Sequence, residues 1–389
     1  MGISDKKSAS IPKNWLLNTG INGRNIGILT PGYGLEKVSY GLEPKGYYFK
    51  KINRIPFQKI VKTDNILTQC PAILSTGIDL VHSFNMLPLN KNFIVSFENE
   101  LPRFFGESQE KYYKFGYDIL QSDRCRGIYG LSEASKYAAT KRMVEYGYPD
   151  LAQKIGVFRG GLNVPNVEYE KEKSGPLKVC FVGENLPHKG IEGTIKGLDR
   201  LYKNGLNLEF TVVGRLHNKD LKNPEYYLNE KEFYNLIANK EWITHHLEIP
   251  NYQVLDLFRQ SHLMILPSID ESLGWVIIEA ALCSTARIGL NSFAIPELIT
   301  HGEDGWLIDI ELGDNKRWKH HGEKTARENW PLVQELIANE IVKIISDSEF
   351  SIERLIEMGK RAKINISNLY NTDRARENVS AIYSSALDT

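Results

Sequence analysis

Two glutamates, Glu271 and Glu279, enclose the segment E-S-L-G-W-V-I-I-E-A, whose other residues are mostly apolar. On a helix, eight residues turn a side chain by about 80° net, so both acids can line one side of a cleft about two turns apart. A carboxylate can accept charge-assisted hydrogen bonds from two neighbouring sugar hydroxyls. Glu279 lies between Ile278 and Ala280, and a buried carboxylate without a partner is costly, so we expect it to have one. The alternative interpretation is a capping acid and a structural salt bridge.

The residues around these acids would suit a phosphorylated ligand. A helix should begin just after Glu271, so that the backbone N–H groups of Ser272, Leu273 and Gly274 point into the cleft. Lys189 opens another predicted helix, at the end of F-V-G-E-N-L-P-H-K-G. A lysine there can neutralise a phosphate as a flexible point charge, with a solvated helix-start lysine as the alternative.

A glycine-containing loop, T-P-G-Y-G-L-E-K-V, follows the first predicted strand. Gly32 and Gly34 would let the backbone come close to a ligand, and the helix behind them offers free N–H groups, which suits a phosphate or diphosphate. The spacing is not G-x-G-x-x-G and no Walker lysine follows, so the loop does not favour a nicotinamide site or a P-loop. The alternative is a tight turn that needs glycine.

Both halves of the chain alternate short apolar segments with helical patterns, which is typical of β-α-β units around a parallel sheet. The first half contains the candidate strands Ile26–Leu29, Leu80–His82, Phe93–Phe97, Ile128–Leu131 and Ile155–Phe158. The second half contains Leu177–Val182, Leu208–Val213, Leu247–Ile249, Leu263–Leu266, Ile288–Leu290 and Trp306–Ile308. The polar stretch 166–176 predicts a linker, and the tail after residue 328 predicts helices. We therefore predict domains at 1–165 and 177–389, with the last helix packing back on the first.

Composition places the chain among soluble, two-domain proteins. Its 389 residues are 42% hydrophobic and 25% charged, and no apolar run approaches the roughly 18 residues that span a bilayer. The first ten residues lack the apolar core of a signal peptide, which predicts a cytoplasmic protein. The four cysteines are far apart without a C-x-x-C pair, so we expect free thiols rather than a zinc site or disulfides.

The net charge of zero is unevenly distributed. Residues 1–165 carry 22 Lys and Arg against 14 Asp and Glu, and residues 166–389 carry 26 against 34. A basic half favours an anionic partner such as a nucleotide, a phospholipid surface or a nucleic acid, with ordinary solvated surface as the alternative. There is no dense Arg/Lys run and no RNA-type aromatic motif, which argues against nucleic acid.

Taken in order, these motifs resemble the retaining glycosyltransferases of family 4, which have the GT-B fold. The second half carries V-G-E-N-L-P-H-K-G, P-S-I-D-E-S-L-G-W-V-I-I-E-A and N-S-F-A-I-P-E-L-I-T-H-G-E-D-G. The first half carries P-G-Y-G-L-E-K-V-S-Y-G-L and D-L-V-H-S-F, and the resemblance covers roughly residues 26–310. It implies an α/β protein of two Rossmann-like, doubly wound domains that face each other across a crevice.

The resemblance also implies roles for single residues. Glu279 would hold the ribose hydroxyls of a nucleotide, Glu271 the donor sugar, and Lys189 the diphosphate. In the first half, the amide of Gly34 would meet the diphosphate and His82 would lie between donor sugar and acceptor. Such enzymes use the nucleotide-sugar as substrate and need neither cofactor nor metal, because helix dipoles and basic side chains stabilise the leaving diphosphate.

Two departures from the family pattern affect charged positions. The arginine of the family's V-G-R is Glu184 here, so Arg215, just after the next predicted strand, would have to supply the missing positive charge. The second histidine of the family's H-x-H is Phe84, which leaves His82 alone in its role. The alternative for His82 is a strand-end histidine that is satisfied by its neighbours.

We therefore expect a hexosyltransferase that uses a UDP- or GDP-type donor and a carbohydrate or lipid-linked acceptor. A non-catalytic nucleotide-sugar or glycan binder is the main alternative, and the spacing of Glu271 and Glu279 argues against a nucleotide-sugar epimerase. In the first half, the aromatic and charged stretches 97–106 and 111–117 suit sugar stacking, a membrane face or core packing equally well. Docking of the basic half on the inner face of a membrane stays open.

Overall fold

The computed structural model describes residues 23–29, 32–55, 69–104, 109–216, 230–238, 240–322 and 325–388. These residues form two compact units. Unit 1 contains the described residues up to Asn163 and those from Tyr370 onward, whereas unit 2 is Val164–Leu369. No helix in the described ranges is long and apolar enough to cross a membrane.

Unit 1 is built on a six-stranded sheet in which every strand pair is parallel, in the order β2-β1-β3-β4-β5-β6. Its strands are β1 Arg24–Ile28, β2 Tyr47–Lys51, β3 Leu80–Phe84, β4 Phe93–Phe97, β5 Cys125–Gly130 and β6 Ile155–Val157. Strand β4 is buried throughout, as expected for a central strand that helices cover on both faces. The direction of winding reverses between β1 and β3, which defines a topological switch point at their carboxyl ends.

The helices of unit 1 that precede Asn163 follow the strands as crossover connections. They are α1 Tyr33–Val38, α2 Gln109–Gln121, α3 Glu133–Glu145 and α4 Pro149–Ala152. Helix α3 begins where Ser132 accepts a hydrogen bond from the amide of Ser135 at 3.0 Å, and Glu133 occupies its first turn. Both features stabilise a helix N-terminus.

Unit 2 repeats the parallel architecture in the order β12-β11-β10-β7-β8-β9. The strands are β7 Leu177–Val182, β8 Leu208–Val213, β9 Ile243–His246, β10 Leu263–Leu266, β11 Ala286–Leu290 and β12 Gly305–Ile308. Counted within the unit, this is the order of a Rossmann fold, and its switch point lies between β7 and β10. Two parallel sheets with flanking helices confirm the predicted fold class of two doubly wound, Rossmann-like units.

The helices of unit 2 are α5 Ile191–Lys203, α6 Glu230–Ile237, α7 Asn251–Gln260, α8 Trp275–Leu282, α9 Ala326–Ile345 and α10 Ile352–Leu369. Glycines allow α5 and α9 to approach closely. A Cβ on Gly193 would lie 2.6 Å from the carbonyl oxygen of Gln334, and one on Gly197 would lie 2.8 Å from that of Ala338. These distances are too short for any side chain, so the packing of the two helices depends on glycine.

The last helix, α11 Thr372–Asp388, belongs to unit 1. Its Tyr383 is fully buried, and the hydroxyl lies 2.8 Å from Ser39 Oγ and 2.8 Å from His82 Nδ1. The ring also packs at 5.0 Å from Tyr47, between ring centroids. The core of unit 1 is therefore completed by residues from the far end of the sequence.

The structure corrects the predicted linker and one predicted strand. Stretch 166–176 is attached to unit 2, because Lys171 is buried and its ammonium donates to the carbonyl oxygens of Phe258 at 2.9 Å and Arg259 at 2.8 Å, at the end of α7. The predicted strand Leu247–Ile249 is wrong, since β9 is formed by the preceding I-T-H-H. As an edge strand with alternating exposure, β9 lacks the continuous apolar run on which the prediction relied.

Candidate functional site

The switch point of unit 2 brings two loops together at the carboxyl edge of the sheet. Strands β7 and β10 pair in parallel, with Leu263 opposite Val179. The loops that follow them, 183–190 and 267–274, are joined directly by a hydrogen bond of 3.1 Å from the amide of Ile269 to the carbonyl oxygen of His188. Ligands of open α/β sheets bind at this position.

Lys189 and Glu271 meet across these two loops. Lys189 Nζ lies 2.5 Å from Glu271 Oε2, and the side chains are only 18% and 14% exposed. Gly183 leaves room for the lysine stem, since a Cβ on this glycine would lie 3.3 Å from Lys189 Cγ. Lys189, predicted to bind phosphate, and Glu271, predicted to bind the donor sugar, are therefore adjacent, and their charges neutralise each other.

The two helices that leave the switch point both start at a glycine. Gly190 and Gly274 precede α5 and α8 with φ of +80° and +83°, and neither glycine provides a side-chain cap. In the first turn of α5, the amide of Gly193 donates to Gln334 Oε1 at 2.8 Å. A Cβ on Gly190 would lie 2.4 Å from the carbonyl oxygen of Pro267, so the two loops touch through this glycine. Because α8 also has no acidic residue in its first turn, its positive dipole end suits an anion.

Glu279 lies on α8, the helix that directly follows the loop of Glu271. Its side chain is only 7% exposed, and Asn251 Nδ2 lies 3.4 Å from its Oε1. Of the residues between the two glutamates, Leu273 is buried and Ser272 is partly exposed. The structure thus places Glu271, residues 272–274 and Glu279 on one connected loop and helix.

Arg215 follows β8, and its backbone carbonyl accepts a hydrogen bond of 3.2 Å from the amide of Leu186. It is therefore next to the loop that carries Glu184 and Lys189. Its guanidinium forms an ion pair with Glu248, and both side chains are exposed. Arg215 Nε is buried without a hydrogen bond. The positive charge of the guanidinium at this edge of the loop is balanced by the exposed carboxylate of Glu248.

A second charged cluster lies at this edge, and it was not predicted from the sequence. Arg317 Nε lies 2.7 Å from Asp270 Oδ1, and His321 Nε2 lies 3.5 Å from Asp270 Oδ2. Burial opposes ionisation of Asp270, but the charges of Arg317, His321 and His188 hold its pKa well below the usual range. The one available signal was that Asp270 directly precedes Glu271, because its partners lie about 50 residues further along the chain.

In unit 1, Gly34 lies at the corresponding switch point. A Cβ on Gly34 would come within 2.8 Å of Phe84 Cζ, so the glycine allows α1 to pack against the end of β3. Gly32 is exposed and has an extended backbone, with φ of −168°, that any residue can adopt. Thr30 and Pro31 of the predicted loop lie outside the described residues.

His82 occupies the interior of unit 1, and its predicted catalytic role is not supported by this geometry. The side chain is 1% exposed, with Nδ1 2.8 Å from Tyr383 Oη and Nε2 2.9 Å from Ser96 Oγ. Burial lowers the pKa of His82 to about 3, which keeps the ring neutral. The alternative of a histidine satisfied by its neighbours describes these contacts better.

The aromatic stretches of the first half contribute chiefly to the core. Phe97, Phe104, Tyr113 and Tyr117 are buried, whereas Phe115 is exposed. Phe105 and Gly106, at the end of the first stretch, lie outside the described residues.

All four cysteines are free thiols, as expected. Cys70, Cys180 and Cys283 are buried, and burial raises the pKa of each, to about 12, 12 and 11. In the part of the chain that the structure describes, no group of three or more His, Cys, Asp and Glu side chains could hold a metal ion.

Comparisons with known proteins find that the chain is similar to glycosyltransferases. Residues 166–339 match the family described as glycosyl transferases group 1. D-inositol 3-phosphate glycosyltransferase of Paenarthrobacter aurescens is 22% identical over 236 residues, or 60% of this chain and 55% of that protein. The O-antigen chain mannosyltransferase RfbU of Salmonella typhimurium is 24% identical over 237 residues, or 60% of each chain. The matched regions thus span little more than half of these curated relatives.

Solved structures show the same fold over nearly the whole chain. HepE of Anabaena, crystallised with UDP and glucose, is 15% identical with a TM-score of 0.62, covering 93% of this chain and 100% of that one. Sucrose-phosphate synthase of Thermosynechococcus elongatus is 13% identical with a TM-score of 0.61, covering 93% and 98%. The fold is therefore GT-B, as predicted.

Proposed function

We propose that the protein is a retaining glycosyltransferase of family 4 that moves a hexose from a nucleotide-diphospho-sugar to a hydroxyl of a carbohydrate or lipid-linked glycan. The observation that carries this proposal is the Lys189–Glu271 pair at the switch point of unit 2, with its atoms 2.5 Å apart. It is followed on the same loop and helix by the buried Glu279. A cation, a helix N-terminus and two acids are the groups that a diphosphate joined to two sugars requires.

Each group has a proposed role toward the donor. Glu279 accepts hydrogen bonds from the two ribose hydroxyls of the nucleotide, and Glu271 accepts hydrogen bonds from hydroxyls of the transferred hexose. The amides of residues 272–274, at the uncapped start of α8, face the diphosphate or the hexose. Donor binding replaces the internal Lys189–Glu271 pair, because the ammonium turns to a phosphate oxygen while the carboxylate turns to the sugar.

The leaving diphosphate is stabilised without a metal in this proposal. Lys189 and the positive ends of α5 and α8 lie at one edge of the sheet, and Arg215 supplies further positive charge in place of the arginine that Glu184 replaces. Preorganised charges of this kind stabilise a transition state without reorganisation. The acceptor attacks the anomeric carbon on the face that the diphosphate leaves, and the diphosphate oxygen takes the acceptor proton, so no side-chain nucleophile is required.

Unit 1 supplies the acceptor side in this proposal. In this proposal, the amides near Gly32 and Gly34 bind phosphate. The excess of basic residues before residue 166 favours an anionic partner, and we propose a cytoplasmic location with docking on the inner face of a membrane as one way to reach a lipid-linked acceptor.

Thermal shift with UDP-, GDP- and ADP-sugars tests donor binding in the wild type and in Glu279→Ala. A ligand at one hundred times its dissociation constant should add about 2.7 kcal/mol of stability. We expect a raised midpoint with one base, lost in Glu279→Ala. Glu349→Ala is the matched control, because Glu349 forms an exposed ion pair with Arg354 on the same unit. No shift with any donor contradicts the proposal.

A non-catalytic sugar-nucleotide binder is the second candidate. It is favoured by Glu184, by Phe84 at the family's histidine position and by the buried contacts of His82. Release of nucleoside diphosphate with transfer to an acceptor separates the two, because a binder shows the thermal shift without product. Analysis of the anomeric configuration of the product then tests retention.

A further inference from the structure

The segment after β12 folds back over the carboxyl edge of the unit 2 sheet. We call residues 311–321 the strap. Within it, the amide of Lys319 donates to the carbonyl oxygen of Glu311 at 2.9 Å, and that of Gly313 donates to Arg317 at 2.8 Å. Trp318 is buried and lies 6.1 Å from Trp330 of α9, between ring centroids. The strap is thus an ordered hairpin anchored by a tryptophan.

The strap reaches the loops that follow the two neighbouring strands. The amide of Phe293, after β11, donates to the carbonyl oxygen of Lys316 at 2.7 Å. The Arg317 guanidinium lies 3.8 Å from the centroid of the Phe293 ring, and its Nε binds Asp270, after β10. Arg317 is only 11% exposed. A guanidinium held by an aromatic face and a carboxylate has little freedom to move.

Asp270 and Glu271 are consecutive residues with different partners. Asp270 binds Arg317 and is close to His321, whereas Glu271 binds Lys189. On the facing loop, His188 precedes Lys189, and its ring lies 5.9 Å from that of His321. The strap therefore contacts loop 267–274 at Asp270. Asp270 is next to Glu271, which is proposed to bind the donor sugar.

We propose that Arg317 is a positioning residue for donor binding, which acts through Asp270 to fix the carboxylate of Glu271 and the amides that follow it. This inference rests on the proposed function. Arg317 itself does not touch the donor in this proposal, and the ribose subsite at Glu279 on α8 does not depend on it. Its loss should impair the handling of the sugar more than that of the nucleotide.

The experiment compares titration calorimetry of UDP and UDP-glucose, or of the GDP or ADP pair if thermal shift selects that base, in wild type and Arg317→Met. We expect the Kd of the nucleotide-sugar to weaken about tenfold, while that of the nucleoside diphosphate changes less than twofold. Turnover, measured as release of nucleoside diphosphate, should fall by about 10²-fold in kcat/KM, the scale expected for misplacement by about 1 Å.

Three further variants separate positioning from a loss of folding. Arg317→Met leaves the nearly buried Asp270 without its main partner, whereas Asp270→Asn with Arg317→Met removes both charges and should recover the melting temperature. The double variant should still bind the nucleotide-sugar weakly. Arg317→Lys keeps the charge but loses the planar stack on Phe293, and should be intermediate. Lys319→Met removes an exposed ion pair with Glu311 in the same strap and should match wild type.

The outcomes distinguish this inference from the proposed function. If wild type binds none of the nucleotide-sugars, the proposed function fails and takes the positioning role with it. If wild type binds one of them and Arg317→Met binds it equally well, only the positioning role is overturned. Equal weakening for UDP and UDP-glucose, or recovery of both in the double variant, would also overturn it, because either result describes a residue that merely stabilises the fold.

Discussion

The switch points of the two units have similar topology and opposite chemistry. In unit 2, the loops after β7 and β10 present Lys189, Glu271 and two helices that start at a glycine. In unit 1, the ends of β1 and β3 present Gly34 packed against Phe84, and His82 is turned into the core. The parallel sheet determines where a site can form, whereas the side chains of four short loops determine whether it carries charge.

This difference agrees with the division of labour that we propose. A phosphorylated donor needs fixed positive groups and acids for its hydroxyls, and unit 2 concentrates both. Unit 1 offers backbone and apolar surface at the equivalent place. The predictions below challenge this contrast, from the largest expected effect to the smallest.

Removing the charge at the unit 2 switch point should have the largest effect. Glu271→Gln keeps the size of the side chain but weakens its bonds to the donor sugar, so kcat/KM should fall by about 10²–10³-fold, the range seen when one preorganised group is lost. Release of nucleoside diphosphate from the donor selected by thermal shift gives this ratio. Glu349→Gln is the matched control, and a rate within threefold of wild type would contradict the assigned role of Glu271.

Crowding the glycines of the two switch points should destabilise unit 2 more than unit 1. Gly190→Ala combines a left-handed backbone, which costs about 1–2 kcal/mol, with a methyl group against Pro267 that adds about 1–3 kcal/mol. In Gly34→Ala, the nearest atoms to the added methyl group belong to the Phe84 ring, and the substitution should cost about 1–3 kcal/mol. Urea denaturation measures both.

Gly175→Ala is the control for Gly190→Ala, since its φ is +99° and nothing lies within 4 Å of the added methyl group. It should show the backbone cost without the crowding. If Gly34→Ala proves more damaging than Gly190→Ala, the unit 1 loop is the more tightly built of the two, and the contrast fails.

A smaller effect should follow from loosening the contacts of His82. Tyr383→Phe deletes the hydroxyl that binds both Ser39 and His82, which should cost about 1–3 kcal/mol because buried polar atoms lose a partner. Hydrogen exchange read by mass spectrometry should speed up in peptides of β3 and α11, while kcat at saturating donor stays unchanged. A fall in kcat with unchanged hydrogen exchange would contradict this expectation and would indicate that His82 takes part directly in the reaction.

The smallest effect near neutral pH should be the pH dependence that His82 imposes on stability. Burial lowers the folded-state pKa of His82 from its ordinary value of 6.5 to about 3, so the unfolded chain binds the proton more readily between these values. The stability that the neutral ring confers is fully present above pH 6.5 and is lost as pH falls toward 3. His82→Phe should show a shallower loss of stability between pH 7 and pH 4 by urea denaturation, and an identical slope would contradict a neutral, buried ring.

Much of the fold was predictable because parallel strands that are buried on both faces leave continuous apolar runs in the sequence. Strands β4, β7, β8 and β10 lie where those runs predicted them. Strand β2, Y-Y-F-K-K, was not predicted, since an edge strand with a lysine pair and partial exposure lacks such a run. The same cause displaced the prediction for β9.

The site was predictable only as far as local motifs reach. The spacing of the motifs marked Lys189, Glu271 and Glu279, which the structure brings to one edge of one unit. Contacts between distant segments leave no local pattern, so neither the Asp270–Arg317 pair nor the burial of His82 by Tyr383 could be deduced from periodicity. The same limit applies to Lys171, whose ammonium caps a helix almost 90 residues away.

The position of α11 has a consequence for how the chain matures on the ribosome. The part of unit 1 that precedes Asn163 is translated first. Its core is incomplete without the buried Tyr383, which is translated after the whole of unit 2. Unit 2, contiguous from Val164 to Leu369, has every one of its own residues available before unit 1 does. The N-terminal-first order that is usual for domains therefore cannot apply to unit 1 as a whole, because all of unit 2 has been translated while unit 1 still lacks α11 and the contact of Tyr383 with His82.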